Sequence, residues 1–207
     1  MLLLALAVSA GASYAENVVT ATQHNLNNDL SYQAWGDGNE ALISKADAGD
    51  SVLFTVKLGL TAASDGKFVW AEWRDAVADW SMYDGFALKF TLMSTTGSGT
   101  IQVTNFVSDN NWGFHQPKGA WPILDVGDEA ITYVDFDDCW DAGESPTSLS
   151  PADLNKIDGY GWQVITKDQS MFGEQVCLLV TPTTVPEPFS LSLLAMGGLA
   201  LAARRKR

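Results

Sequence analysis

Apolar side chains recur at every second position through much of this chain. Val52, Phe54, Val56 and Leu58 share one face of the stretch from Ser51 to Leu58, and Phe86, Leu88, Phe90 and Leu92 repeat the pattern. Shorter runs follow at Ile101 and Val103, Ile131 and Tyr133, Trp162 and Val164, and Val176, Leu178 and Val180. Successive strand side chains point to opposite faces, so each run predicts a half-buried β-strand. Turn-forming clusters separate them: Ala63-Ser-Asp-Gly66, Thr96-Gly-Ser-Gly99, Ser108-Asp-Asn-Asn111, Asp125-Val-Gly-Asp128 and Asp158-Gly-Tyr-Gly161. Short strands broken by Gly, Asp and Asn turns predict an all-β antiparallel sandwich or barrel. One helical turn is expected at Ser150-Pro-Ala-Asp153, where Ser150 caps, Pro151 opens the turn and Asp153 returns to the cap. Residues 16–182 show no internal repeat or linker and are read as one domain.

The two ends break this pattern. Met1 to Ala15 is apolar and closes on Ser13-Tyr14-Ala15, with small residues where a signal peptidase reads, although no positive n-region precedes it. Residues 1–15 are therefore expected to be a signal peptide. The C-terminal 183–207 segment combines Pro186-Glu187-Pro188, an apolar run from Phe189 to Ala203, and Arg204, Arg205, Lys206 and Arg207 at the end. The prolines impose an extended hinge. As a helix the apolar run would be about 22 Å long, against the roughly 30 Å hydrocarbon core of a bilayer. Snorkelling arginines and local thinning would have to supply the rest of a transmembrane helix.

The order of these three parts resembles the PEP-CTERM sorting signal of exopolysaccharide-producing Gram-negative bacteria. That resemblance implies export, transient association with the inner membrane through a C-terminal sorting helix, and removal of the tail by an exosortase acting at Pro186, Glu187 and Pro188. Signal peptidase would be the other processing partner, and the cell surface or extracellular matrix the destination. An ordinary C-terminal anchor is the alternative.

Composition narrows the partners. The chain carries a formal charge of −13, and without the tail 8 basic and 24 acidic residues remain, a balance of −16. Such a surface repels nucleic acid and anionic lipid, and suits divalent cations or neutral ligands such as sugars. Cys139 and Cys177 form an even pair in a chain expected to be exported, which predicts one disulfide.

Asp79-Trp-Ser-Met-Tyr-Asp-Gly-Phe-Ala-Leu-Lys-Phe90 and Leu154-Asn-Lys-Ile-Asp-Gly-Tyr-Gly-Trp-Gln-Val164 resemble strand-leading segments of galactose-binding-like jelly rolls, which include several carbohydrate-binding modules. This likeness, over roughly 52–180, implies a single jelly-roll β-sandwich; an immunoglobulin-like sandwich is the alternative. It also makes a structural calcium a candidate cofactor, with Asp135 and Asp137, and Asp37 and Asn39, as oxygen donors.

Catalytic chemistry finds little footing. The chain has only two histidines, His24 and His115, and no nucleophile elbow, HExxH or phosphate loop. Glu72, between Trp70, Trp73 and Arg74, is the one suggestive acid, but a glycosidase needs a second carboxyl that the sequence does not single out. Pairing of Glu72 with Arg74 is the plainer reading, and no enzyme activity is expected. Sugar binding needs exposed rings and a few hydrogen-bonding side chains. Trp112 and Trp121 lie in Gly/Asn/Pro-rich stretches and are the candidate platforms, with Asn111, His115 and Gln116 as polar neighbours. Trp70, Trp73, Trp80 and Trp162 are read as core. The sequence thus points to a non-enzymatic surface protein in contact with exopolysaccharide or another glycan, with a purely structural or adhesive role as the alternative.

Overall fold

The structure is a computed structural model that describes residues 18–19, 30–34, 42–59, 69–109, 113–141 and 145–183. All of them fall within one compact unit, Asn17–Val185. His24, Asp37, Asn39, Asn111, Trp112, the signal peptide and the sorting tail lie outside the described residues.

One sheet contains β1 (Val18–Val19), β3 (Leu42–Asp47), β4 (Val52–Lys57), β6 (Gly85–Thr95), β10 (Glu129–Asp135) and β14 (Gln175–Pro182). The other contains β2 (Leu30–Ala34), β5 (Val69–Ala78), β7 (Ile101–Asp109), β8 (Phe114–Pro117), β9 (Ile123–Leu124), β11 (Cys139–Asp141), β12 (Ser145–Thr147) and β13 (Ile157–Ile165). From β4 to β7, and again from β9 to β11, the chain passes from one sheet to the other at each step. That crossing makes a jelly-roll-like sandwich instead of a meander. Pairing is antiparallel except between β1 and β6, which run parallel, so the sandwich is mostly rather than wholly antiparallel.

The alternating runs do what period two requires. In β4, Val52, Phe54 and Val56 are fully buried while their neighbours are half-buried; Phe86, Leu88, Phe90 and Leu92 line the facing side of β6. From the opposite sheet Ile101, Val103, Val107, Trp162 and Val164 meet them. Trp162 packs on Phe54 at 5.0 Å and edge-on to Phe90 at 6.4 Å between ring centroids. Trp80 gathers with Phe86, Phe136 and Tyr160 in a second aromatic group within the same core. Both Trp80 and Trp162 are core, as expected; Trp70 and Trp73 lie on β5.

The expected helical turn is α1 (Pro151–Leu154). Ser150 Oγ accepts the Asp153 N–H at 3.3 Å, and the Asp153 carboxylate accepts the Ser150 N–H at 3.0 Å, completing a capping box. The Ser150 hydroxyl, and then its N–H, hold the Asp153 carboxyl below the usual carboxylate range. A depressed carboxyl stabilises the fold above its unfolded pKa and loses that contribution as pH falls through the folded value. Ser150→Ala is therefore expected to cost about 1 kcal/mol at neutral pH. The deficit should shrink below about pH 4, where the unfolded carboxyl protonates. Urea midpoints of the two proteins at both pH values check this; an equal deficit at both would contradict it.

Four expectations need correction. Ile131 and Tyr133 do not face the core: Ile131 is exposed, and Thr132 and Val134 point inward. The Tyr133 ring instead lies over Gly85, where a Cβ would come within 2.1 Å of it. Asp158-Gly-Tyr-Gly161 is not a turn but part of the central strand β13, with a register shift between Ile157 and Gly159. The third concerns the disulfide, because Cys139 and Cys177 are both free. Cys139 faces the core of one sheet, whereas Cys177 lies on the outer side of the other beside Thr55 Oγ1, 3.9 Å away. Two side chains on opposite sides of a sheet cannot be bridged without moving the backbone.

Burial pushes the Cys139 thiol up to about 11, with Asp135, Asp138 and Asp141 adding to the effect. Since the thiolate is the reactive form, iodoacetamide at pH 8 is expected to label Cys177 well before Cys139, as peptide mass mapping would show. Equal rates would contradict the assignment. The fourth correction is the transmembrane helix. Among the described residues no helix is long and apolar enough to cross a membrane. The apolar run Phe189–Ala203 that was to supply one lies outside them and, as a helix, would be about 22 Å long, shorter than a bilayer core. A transmembrane helix is not part of the account.

Candidate functional site

The expected platform Trp121 lies in the connection between β8 and β9, which crosses the edge of its sheet. β7 pairs with β8 at Val107 and Ser108 and with β9 at Ile101 and Gln102, leaving the middle of β7 to face the 118–122 segment. The Val103 N–H reaches that segment, donating to the Pro122 carbonyl at 3.3 Å. Gly119 has φ +93°, a left-handed conformation that L side chains rarely adopt, and this is how the connection turns. Pro122 then fixes φ directly after Trp121.

The result is an open cleft of about 170 Å³ between this segment and β10 of the other sheet. Thr104, Lys118, Trp121, Ile131, Thr132 and Tyr133 line it. Trp121 is half-buried. Thr132 is 4% exposed, and its Oγ1 has no hydrogen-bond partner. A buried hydroxyl without a partner is unfavourable unless something else satisfies it. Enclosed small-molecule pockets measure roughly 300–1,000 Å³. The cleft is smaller and open, suited to one unit of a longer ligand lying across it.

His115 and Gln116 do not line the cleft. Both are on β8, a strand where the sequence reads as a loop, and each is 6% exposed. His115 sits instead in a clasp that closes the β7–β8 connection. Its Nε2 is 3.7 Å from Asp109 Oδ2, and both side chains are less than a tenth exposed. Asp109 Oδ1 accepts the Gly113 N–H at 2.9 Å, while the Asp109 N–H donates to the Gly113 carbonyl at 3.1 Å. Beyond them on the outer side of the sheet, Phe106 and Phe114 stack at 4.3 Å, with Ile165 against them.

The acidic candidates are less concentrated than the sequence reads. Asp135 Oδ1 accepts the Asp137 N–H at 2.9 Å, an Asx turn. Among the described residues no group of three or more His, Cys, Asp or Glu side chains converges. Glu72 stands opposite Gly161 on β13 and Ser31 on β2. Thr104, Lys118 and the β10 residues are the parts of the cleft that sequence reasoning missed. An inward Thr132 between Ile131 and Tyr133 was the available signal.

No family model and no curated relative matches the chain. Solved structures similar to it include an exo-β-agarase, at 11% identity and TM-score 0.47 over 81% of this chain and 26% of that one. A family 11 carbohydrate-binding module of a cellulosomal cellulase from Clostridium thermocellum gives 10% identity and TM-score 0.45, over 82% and 98% of the two chains. A xylan-binding module gives 13% and 0.37, over 77% and 94%. This chain spans about a quarter of the two agarase chains it matches. Likenesses this distant carry nothing about ligand or activity, and the sandwich stands on its own strand order.

Proposed function

We propose that this domain is a non-enzymatic glycan-contacting module of an exported surface or matrix protein, and that it holds polysaccharide against Trp121 in the edge cleft. The observation that carries the reading is a half-buried Trp121 lining the same open cleft as Thr132, whose buried hydroxyl has no hydrogen-bond partner. A sugar offers an apolar C–H face for the indole and hydroxyls for polar groups lining the cleft. The openness of the cleft suits a polymer, which need not be enclosed. Export and removal of the tail at Pro186-Glu187-Pro188 belong to the same proposal and rest on the order of motifs in the sequence.

Affinity electrophoresis through gels containing neutral polysaccharides tests the reading. Trp121→Ala is expected to weaken retention about 10-fold, equivalent to about 1.4 kcal/mol, with the melting temperature unchanged. Retention that survives the substitution in a folded protein would overturn it. Trp112→Ala is the parallel test of the second expected platform. A purely structural or adhesive component predicts no retention by any gel.

A further inference from the structure

The charges around the cleft bear on which glycan it takes, an inference that rests on the cleft being the glycan site. Lys118 is the one cationic side chain lining it among the described residues. The antiparallel register of β8 and β11 pairs Pro117 with Cys139, so the preceding Asp138 comes alongside Lys118. There the Lys118 ammonium donates to the Asp138 carboxylate, forming an ion pair. Asp135 ends the cleft strand β10, and Asp137 follows it one residue before Asp138. The one cationic side chain lining the cleft among the described residues is thus already paired, next to further carboxylates on a chain of net charge −13.

We propose that the cleft selects neutral polysaccharide over uronate-bearing polysaccharide, and that Asp138 is the specificity-determining residue. It occupies the Lys118 ammonium and adds repulsion toward a carboxylated sugar. Discrimination here comes from an element that disfavours the wrong ligand as much as from contacts to the right one. The pair is accessible, with side chains 35% and 63% exposed, so it contributes little to folding and can be removed without unfolding the domain.

The experiment compares wild type, Asp138→Asn, Lys118→Gln/Asp138→Asn and Trp121→Ala on an uncharged polysaccharide and on polygalacturonate. Wild type is expected to bind the neutral polymer about tenfold or more tighter than the polyuronate. Asp138→Asn should raise polyuronate affinity several-fold and leave neutral binding nearly unchanged. High salt should erase that gain by screening, and so should the added Lys118→Gln. Equal wild-type affinity for the two polymers, or an Asp138→Asn protein with unchanged preference, overturns the proposal. If Trp121→Ala still weakens neutral binding in that case, the cleft reading stands and the selectivity alone falls. If Trp121→Ala changes nothing, or wild type binds neither polymer, both fall.

Discussion

Trp162→Ala is expected to destabilise the domain by about 3–5 kcal/mol, the range for removing a large aromatic from a packed core. Trp162 has no solvent exposure and lies on β13, paired on both sides by β5 and β7. Its ring fills the space between the sheets against Phe54 and Phe90. Backbone pairing on both sides of β13 keeps the sheet from collapsing into the gap, so most of the cavity should persist. The indole Nε1 has no hydrogen-bond partner, so the loss should come from packing alone. Trp162→Phe should accordingly retain much of the stability. Urea unfolding is the measurement, with a lower midpoint and an unchanged slope expected. A domain typically has about 5–15 kcal/mol in total, so the alanine variant should sit near its folding threshold. A loss below about 1 kcal/mol would mean that Trp162 does not fill this core.

Gly113→Ala should have the next largest effect, about 1–3 kcal/mol from overpacking. A Cβ there would meet Asp109 Oδ2 and His115 Nε2, each at 2.8 Å, closer than real Cβ contacts come. Both partners are buried and neither can swing into solvent without leaving the clasp. Relief would require parting His115 from Asp109 or breaking the Gly113 N–H bond to Asp109 Oδ1. Two observables separate this clash from generic loss of a glycine: the His115 ring resonances should move, and amide exchange at 113–115 should quicken. If stability falls while both stay unchanged, the clasp is not what the glycine accommodates.

The core strands were legible because each is half-buried and its sequence alternates cleanly. Val52 to Val56 and Phe86 to Leu92 leave a one-residue slip no acceptable outcome, since it would turn every large side chain to the outside. The α1 cap was legible for another reason, its whole chemistry lying within four residues. β10 was not. Ile131, Tyr133 and Val134 are apolar on both faces, so the pattern allows either phase. The choice is made by the seven-residue register with β6 and by the space that Gly85 leaves for Tyr133. The glycines of 158–161 read as a turn because glycine usually marks one, yet here they stand in a strand paired on both sides.

The same division runs through the site. Trp121 announced itself by its Lys-Gly-Ala-Trp-Pro setting. Its partners Thr104 and Thr132 come from two different sheets and become neighbours only through the sandwich edge. An even cysteine count carried no information on which side of a sheet each thiol would lie.

The most direct test of the central claim is to map chemical-shift changes in the isotopically labelled protein titrated with a neutral oligosaccharide. Shifts centred on Thr104, Lys118, the Trp121 indole, Thr132 and Tyr133 are the predicted result. Shifts centred instead on the outer cluster of the same sheet, at Phe106, Phe114 and Ile165, with Lys118, Trp121, Thr132 and Tyr133 silent, would contradict it.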